Sequence, residues 1–176
     1  MLTTVRLVII PLTYQQLAAY IQASDVLEEE LGLVKGQRVM DEGFRQMIEA
    51  FSLPSMKKGS PGNHIFYTCW IIVDRPSNKI VAELGFKGPP NTRGEIEIGY
   101  GTQADERGKG YMTEAVGSLL DWAAKQPAVH TMLAETDESN QASIRVMQKN
   151  GFEQFSRRGI MLWWRKVLKP DAEKSK

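Results

Sequence analysis

The spacing of apolar positions changes several times along this chain, and each change marks an element. Residues 5–10 are apolar apart from Arg6, mostly β-branched, and stop at Pro11, the pattern of a strand. Thr13 follows as a cap, with a short helix running through Leu17 and Tyr20. Phe44, Met47, Ile48 and Phe51 fall at i, i+3, i+4 and i+7, the stripe of a second helix. Residues 52–63 contain two prolines and two glycines and read as a loop. Beyond them the pattern becomes that of strands. Residues 65–73 and 79–86 are expected strands, joined by a hairpin turn at 74–78, and 95–102 follows as a third.

In 110–125 the positions Met112, Ala115, Val116, Leu119 and Ala123 make one helical apolar stripe. Residues 129–136 form the next expected strand. A helix over 140–150 is capped by Asn140 and ended by Gly151, and 152–157 with 160–167 make a hairpin across Arg158-Gly159. Trp163 and Trp164 fall on opposite faces of that last strand, one toward the core and the other toward an acceptor cleft or an interface. Strands that arrive first in hairpins and then alternate with helices predict an α+β fold, a central twisted mixed sheet flanked by helices. No internal repeat or second domain emerges, so 1–170 reads as one domain and 171–176 as a frayed tail.

Composition narrows the field. The hydrophobic share, 42% of 176 residues, suits a substantial core. Lysine and arginine total 22 against 21 acidic residues, so no global field favours nucleic acid or an anionic membrane as partner. Cys69 is the only cysteine, which rules out an intrachain disulfide. The N-terminal residues lack the pattern of a secretory signal, and no apolar run nears the ~20 residues that span a bilayer. A cytoplasmic protein is expected. His64 and His130 have no ligand partners at recognisable spacing, so no metal is expected.

The most informative stretch is Gln103-Ala104-Asp105-Glu106-Arg107-Gly108-Lys109-Gly110-Tyr111-Met112-Thr113, between a strand and an amphipathic helix. Glycines at 108 and 110 allow a sharp turn and leave the backbone amides uncovered. The helix start adds unpaired N–H groups and partial positive charge, and Arg107 or Lys109 adds charge at the rim, so the turn suits a pyrophosphate. A nucleotide P-loop needs Ser or Thr after Gly-Lys, where Gly110 stands, and a dinucleotide fingerprint needs a third glycine where Thr113 stands.

The run from 95 to 155 resembles the GNAT superfamily of N-acetyltransferases, and within it the RimJ/RimL-like branch that acetylates N-termini of ribosomal proteins. Arg107-Gly108-Lys109-Gly110-Tyr111 is similar to its pyrophosphate motif, with Met112 departing from the usual glycine or alanine. Gly110-Tyr111-Met112-Thr113-Glu114-Ala115 resembles the branch's helix start. Asn140-Gln141-Ala142-Ser143 followed by Asn150-Gly151-Phe152 resembles its second signature, and Ile10-Pro11-Leu12-Thr13 its first strand and cap.

This resemblance implies an N-acetyltransferase that moves the acetyl group of acetyl-CoA, as co-substrate, directly to a primary amine. The acceptor is a protein N-terminus or a small amine such as a polyamine or aminoglycoside, and a homodimer is left open. It implies cofactor contacts from Tyr100, Gly101 and Thr102 through the strand backbone, from Arg107, Gly108, Lys109, Gly110, Tyr111, Met112 and Thr113 at the turn, and from Asn140. Glu97 is the first choice for catalytic base and Glu95 the second; Ser143 is the group near the thiol. Residues 36–63 are expected to shape the acceptor entrance. The competing class is a non-catalytic acyl-CoA-binding or interaction module.

Overall fold

A computed structural model of the chain describes residues 1–22, 24–36, 38–59 and 61–169. Its strands are β1 (Leu2–Thr3), β2 (Leu7–Pro11), β3 (Cys69–Asp74), β4 (Lys79–Phe86), β5 (Glu95–Thr102), β6 (Thr131–Asp137), β7 (Glu153–Arg158) and β8 (Met161–Val167). They form one sheet in the order β1-β2-β3-β4-β5-β6-β8-β7. All neighbours are antiparallel except β5 and β6, which run parallel. A parallel pair needs a crossover, and helix α5 (Tyr111–Ala123) supplies it. The other helices are α1 (Tyr14–Tyr20), α2 (Val26–Leu31), α3 (Glu42–Met47), α4 (Leu53–Lys58) and α6 (Gln141–Lys149); their numbering runs in chain order around α5. The expected mixed sheet flanked by helices is the fold observed.

Alternation along the strands splits the core in two. One face of the sheet joins Ile96, Ile98, Leu84 and Phe86 to the α5 stripe Met112, Ala115, Val116 and Leu119 and to Met147 of α6. The other joins Cys69, Ile71 and Val73 to Leu17, Tyr20, Leu27, Ile48 and Met56 from the N-terminal helices. Thr13 caps α1 in a reciprocal capping box with Gln16, and Asn140 caps α6 by accepting from the Ser143 N–H at 3.0 Å.

The segment read as a loop is largely helical. A π-helical turn (Ile48–Ser52) leads into α4, and a 3₁₀ turn (Pro61–Phe66) follows. Pro54 lies in the first turn of α4, where its missing N–H has no intrahelical partner to lose. The 3₁₀ turn also consumes the first residues expected in β3, so that strand begins at Cys69. Helix α2, which carries no apolar stripe of its own in the sequence, was not anticipated. Pro11 does not stop β2 but ends it within the ladder, opposite Trp70. Leu12 N–H bonds the Cys69 carbonyl, so Pro11 points its nitrogen away from β3 and breaks no bond there. The tail after Pro170 lies outside the described residues.

Candidate active site

The parallel register of β5 and β6 runs from Glu95↔Thr131 to Ile98↔Ala134 and stops. Both strands continue, β5 to Thr102 and β6 to Asp137, without pairing to each other. On its other side β5 stays bonded to β4 as far as Thr102. From Gly99 to Thr102, therefore, one side of the β5 backbone offers its polar groups to a gap rather than to a strand.

A cavity of about 460 Å³ fills this region. Its walls are Tyr100, Gly101 and Thr102 of β5, then Arg107, Gly108, Gly110, Tyr111, Met112 and Thr113, and Asn140 and Ser143 at the start of α6. Of the residues expected to bind the cofactor, Lys109 alone is not part of the lining; its ammonium pairs with Glu106 at 2.7 Å. Gly108 (φ 78°) and Gly110 (φ 80°) both adopt the left-handed conformation that other residues resist. The first intrahelical bond of α5 runs from Glu114 N–H to Gly110 O, so the amides of Tyr111, Met112 and Thr113 precede the ladder. Met112 sends its side chain into the core, 6% exposed, and leaves those amides uncovered.

Arg6 fixes the turn from outside. Its guanidinium donates to the Lys109 carbonyl at 3.0 Å, pairs with Glu114 at 2.7 Å and lies 5.1 Å from the Tyr111 ring centroid. Deep in the cavity the hydroxyls of Tyr100 and Ser143 are 2.7 Å apart. Burial pushes the Tyr100 phenol up to about 12, although the bond to Ser143 works the other way.

The two glutamates of β5 stand elsewhere. Neither lines the cavity. Glu97 faces the side of the sheet turned away from α5, where it pairs with the Lys87 ammonium at 2.5 Å. The same ammonium donates to Glu135 at 2.7 Å. Burial works against the charge on Lys87, but these two carboxylates outweigh it and raise its pKa. Glu95, the first residue of β5, is tied back to the turn before it: bonds from Asn91 and Arg93 hold its carboxyl below the usual range. Trp164 is core, while Trp163 sits on the other face opposite Glu135.

The sequence reading overlooked Arg145 and Lys149, which line the cavity from α6. Their i, i+4 spacing, beside the face holding Ser143, was the available signal. Among the described residues no group of three or more His, Cys, Asp or Glu is placed to hold a metal ion.

Residues 6–153 match the family model of the acetyltransferase (GNAT) domain. This chain belongs to the GNAT family. Among curated relatives of this GNAT chain, the N-acetyltransferase YjdG of Bacillus subtilis (strain 168) is 37% identical over 86 residues, 49% of this chain and 51% of that protein. The N-acetyltransferase p20 of Bacillus licheniformis is 26% identical over 82 residues, 47% of this chain and 46% of that protein. The chain thus spans about half the length of the curated relatives it matches.

Solved structures agree on the fold. A ribosomal L7/L12 α-N-protein acetyltransferase, RimL, in complex with coenzyme A superposes with a TM-score of 0.64 at 15% identity, covering 93% of this chain and 95% of that one. The ribosomal-protein-S5-alanine acetyltransferase of Vibrio fischeri gives 0.64 at 18% identity, covering 96% and 98%.

Proposed function

We propose that this GNAT domain is an acetyl-CoA-dependent N-acetyltransferase whose acceptor is a primary amine, either a protein N-terminus or a small molecule. The observation that carries the reading is the junction of three features in one cavity: the unpaired β5 backbone, the left-handed glycine turn and the Tyr100–Ser143 hydroxyl pair.

The residues present suit acetyl-CoA. The uncovered amides of the glycine turn and first turn of α5 receive its pyrophosphate, with Arg107, Arg145 and Lys149 adding positive charge. The free side of Gly99–Thr102 pairs with the amides of the pantetheine arm, as a strand would. Acetyl-CoA supplies an activated acyl group on a good leaving thiol. Tyr100, a phenol protonated at neutral pH and joined to Ser143, is the proton source for that thiol as it leaves. Holding amine and thioester together contributes much of the remaining acceleration. We assign the acceptor entrance to residues 38–59, where half-exposed Phe51 packs edge-on against Tyr67 at 5.9 Å.

A screen of amines with acetyl-CoA, followed by release of free thiol, tests this reading. Peptides with different N-terminal residues, polyamines and aminoglycosides are the arms. Steady release above the acceptor-free rate with one arm is the expected result. Tight acetyl-CoA binding with no release in any arm would instead support a non-catalytic acyl-CoA-binding module.

A further inference from the structure

Resting on that reading, we propose that Glu83 is the catalytic base that takes the proton of the acceptor amine. The argument begins with register. On the sheet face turned away from α5, Glu83 pairs with Gly101 and Gly85 with Gly99. Three of these four positions have no side chain, so Glu83 stands alone on a floor of bare backbone.

Gly99 is exposed, and a Cβ built on it would meet nothing within 4 Å. At Gly101 a Cβ would fall 2.6 Å from Glu83 Oε1, which places that oxygen directly over the Gly101 backbone. Gly101 is itself a wall of the cofactor cavity. An amine that crosses the open surface at Gly99 therefore reaches the free side of β5 and the Glu83 carboxylate together.

The carboxylate is also oriented. Its Oε2 accepts from the Tyr20 hydroxyl at 3.1 Å and from the Gln103 amide at 3.4 Å, leaving Oε1 over Gly101. Among the described residues no cation pairs with it directly. Glu97, by contrast, already carries the Lys87 ammonium, and Glu95 is bound into its turn. The other titratable groups facing Glu83 are the Cys69 thiol of β3 and, more distantly, Arg38 and Asp41. Burial raises the Glu83 carboxyl above the ordinary range, although Tyr20, Gln103 and Arg38 pull it back; Asp41 adds to the rise. That direction suits a base working near neutral pH.

The chemistry balances as follows. One proton passes from the acceptor ammonium to Glu83, directly or through one water. The released nitrogen lone pair forms the N–C bond to the thioester carbonyl, and the C–S bond breaks. The second nitrogen proton reaches the sulfur by way of the Tyr100–Ser143 hydroxyls, and Glu83 returns its own proton to solvent.

The test is the pH dependence of turnover with the acceptor found by the screen, on the wild type, Glu83→Gln, Glu97→Gln and Tyr20→Phe. Glu83→Gln is expected to lower kcat by roughly 10²–10⁴-fold, with acetyl-CoA affinity by calorimetry unchanged. Tyr20→Phe probes the same carboxylate without altering it. Loss of the hydroxyl removes a bond that favours the ionised form, so the acid limb of kcat/KM moves to higher pH. A glutamate that only supports the fold gives no such displacement. The proposal is overturned if Glu83→Gln changes kcat by less than about threefold or raises KM alone. A larger kcat loss in Glu97→Gln than in Glu83→Gln also overturns it. Turnover that survives Glu83→Gln removes this base and leaves the acetyl-transfer reading standing; a wild type that binds acetyl-CoA yet acetylates no amine removes both.

Discussion

Two residues at the glycine turn show how closely local conformation and chemistry are joined here. Gly110 sits at φ 80°, where a β-branched side chain is strained, and a Cβ there would approach Arg6 Nη2 at 3.5 Å. Gly110→Val is expected to weaken acetyl-CoA binding by at least about tenfold, since valine resists the left-handed conformation on which the turn and its uncovered amides depend; titration calorimetry reads this directly. Glu114 lies behind the same turn. Burial disfavours its charge, but the Thr4 hydroxyl, the Arg6 N–H and the Arg6 guanidinium outweigh burial and depress its carboxyl. A folded-state pKa below the unfolded one means stability that is present above the unfolded value, about 4.3, and lost as pH falls through the folded value. Glu114→Gln should therefore destabilise the domain at neutral pH and flatten the acid limb of its stability curve, as measured by urea unfolding across pH. At this scale the sequence was legible wherever a residue's own neighbours define its role, as at Gly108, Gly110 and Asn140. Glu83 was not legible. In the alternation of Lys79–Phe86 it occupies an ordinary polar strand position, and only the cross-strand partner Gly101 reveals what it lies against.

At the scale of elements, α6 carries the Ser143 hydroxyl on a helix of nine residues whose first turn depends on one cap. Asn140→Ala removes the acceptor for the Ser143 N–H and is expected to cost about 1 kcal/mol. Because that N–H belongs to the residue bonded to Tyr100, the same change should reduce kcat more than acetyl-CoA affinity; steady-state kinetics beside calorimetry distinguishes the two. Elements between 79 and 152 were readable because strict alternation, one amphipathic stripe and clear caps agree with one another. The stretch from 48 to 66 was not. Its prolines and glycines match a loop by composition, yet Pro54 and Pro61 each stand at the start of a helical turn, where proline fits. Which side of a turn a proline occupies is set by contacts from the second core cluster, through Ile48 and Met56, and composition does not encode it.

For the whole molecule, a ligand that binds only the folded state stabilises it by mass action, about 2.7 kcal/mol at a hundredfold excess over Kd. Acetyl-CoA is therefore expected to raise Tm in a concentration-dependent way, visible by scanning calorimetry. Hydrogen exchange adds a spatial check. Acetyl-CoA should protect 99–113 and the first turn of α6, whereas a verified acceptor should protect amides within 38–59. An acceptor that leaves every amide of 38–59 unchanged would remove that segment from the entrance.

The parting of β5 and β6 has a consequence outside catalysis. A ladder that stops in mid-sheet creates two inner edges, and an unpaired edge is a template for any extended peptide, including a second copy of the same chain. An acyl carrier bound in the gap, as proposed above, is expected to act as the missing strand and block that template. If acetyl-CoA occupies the gap as proposed, light scattering on heating should rise faster in its absence than in its presence.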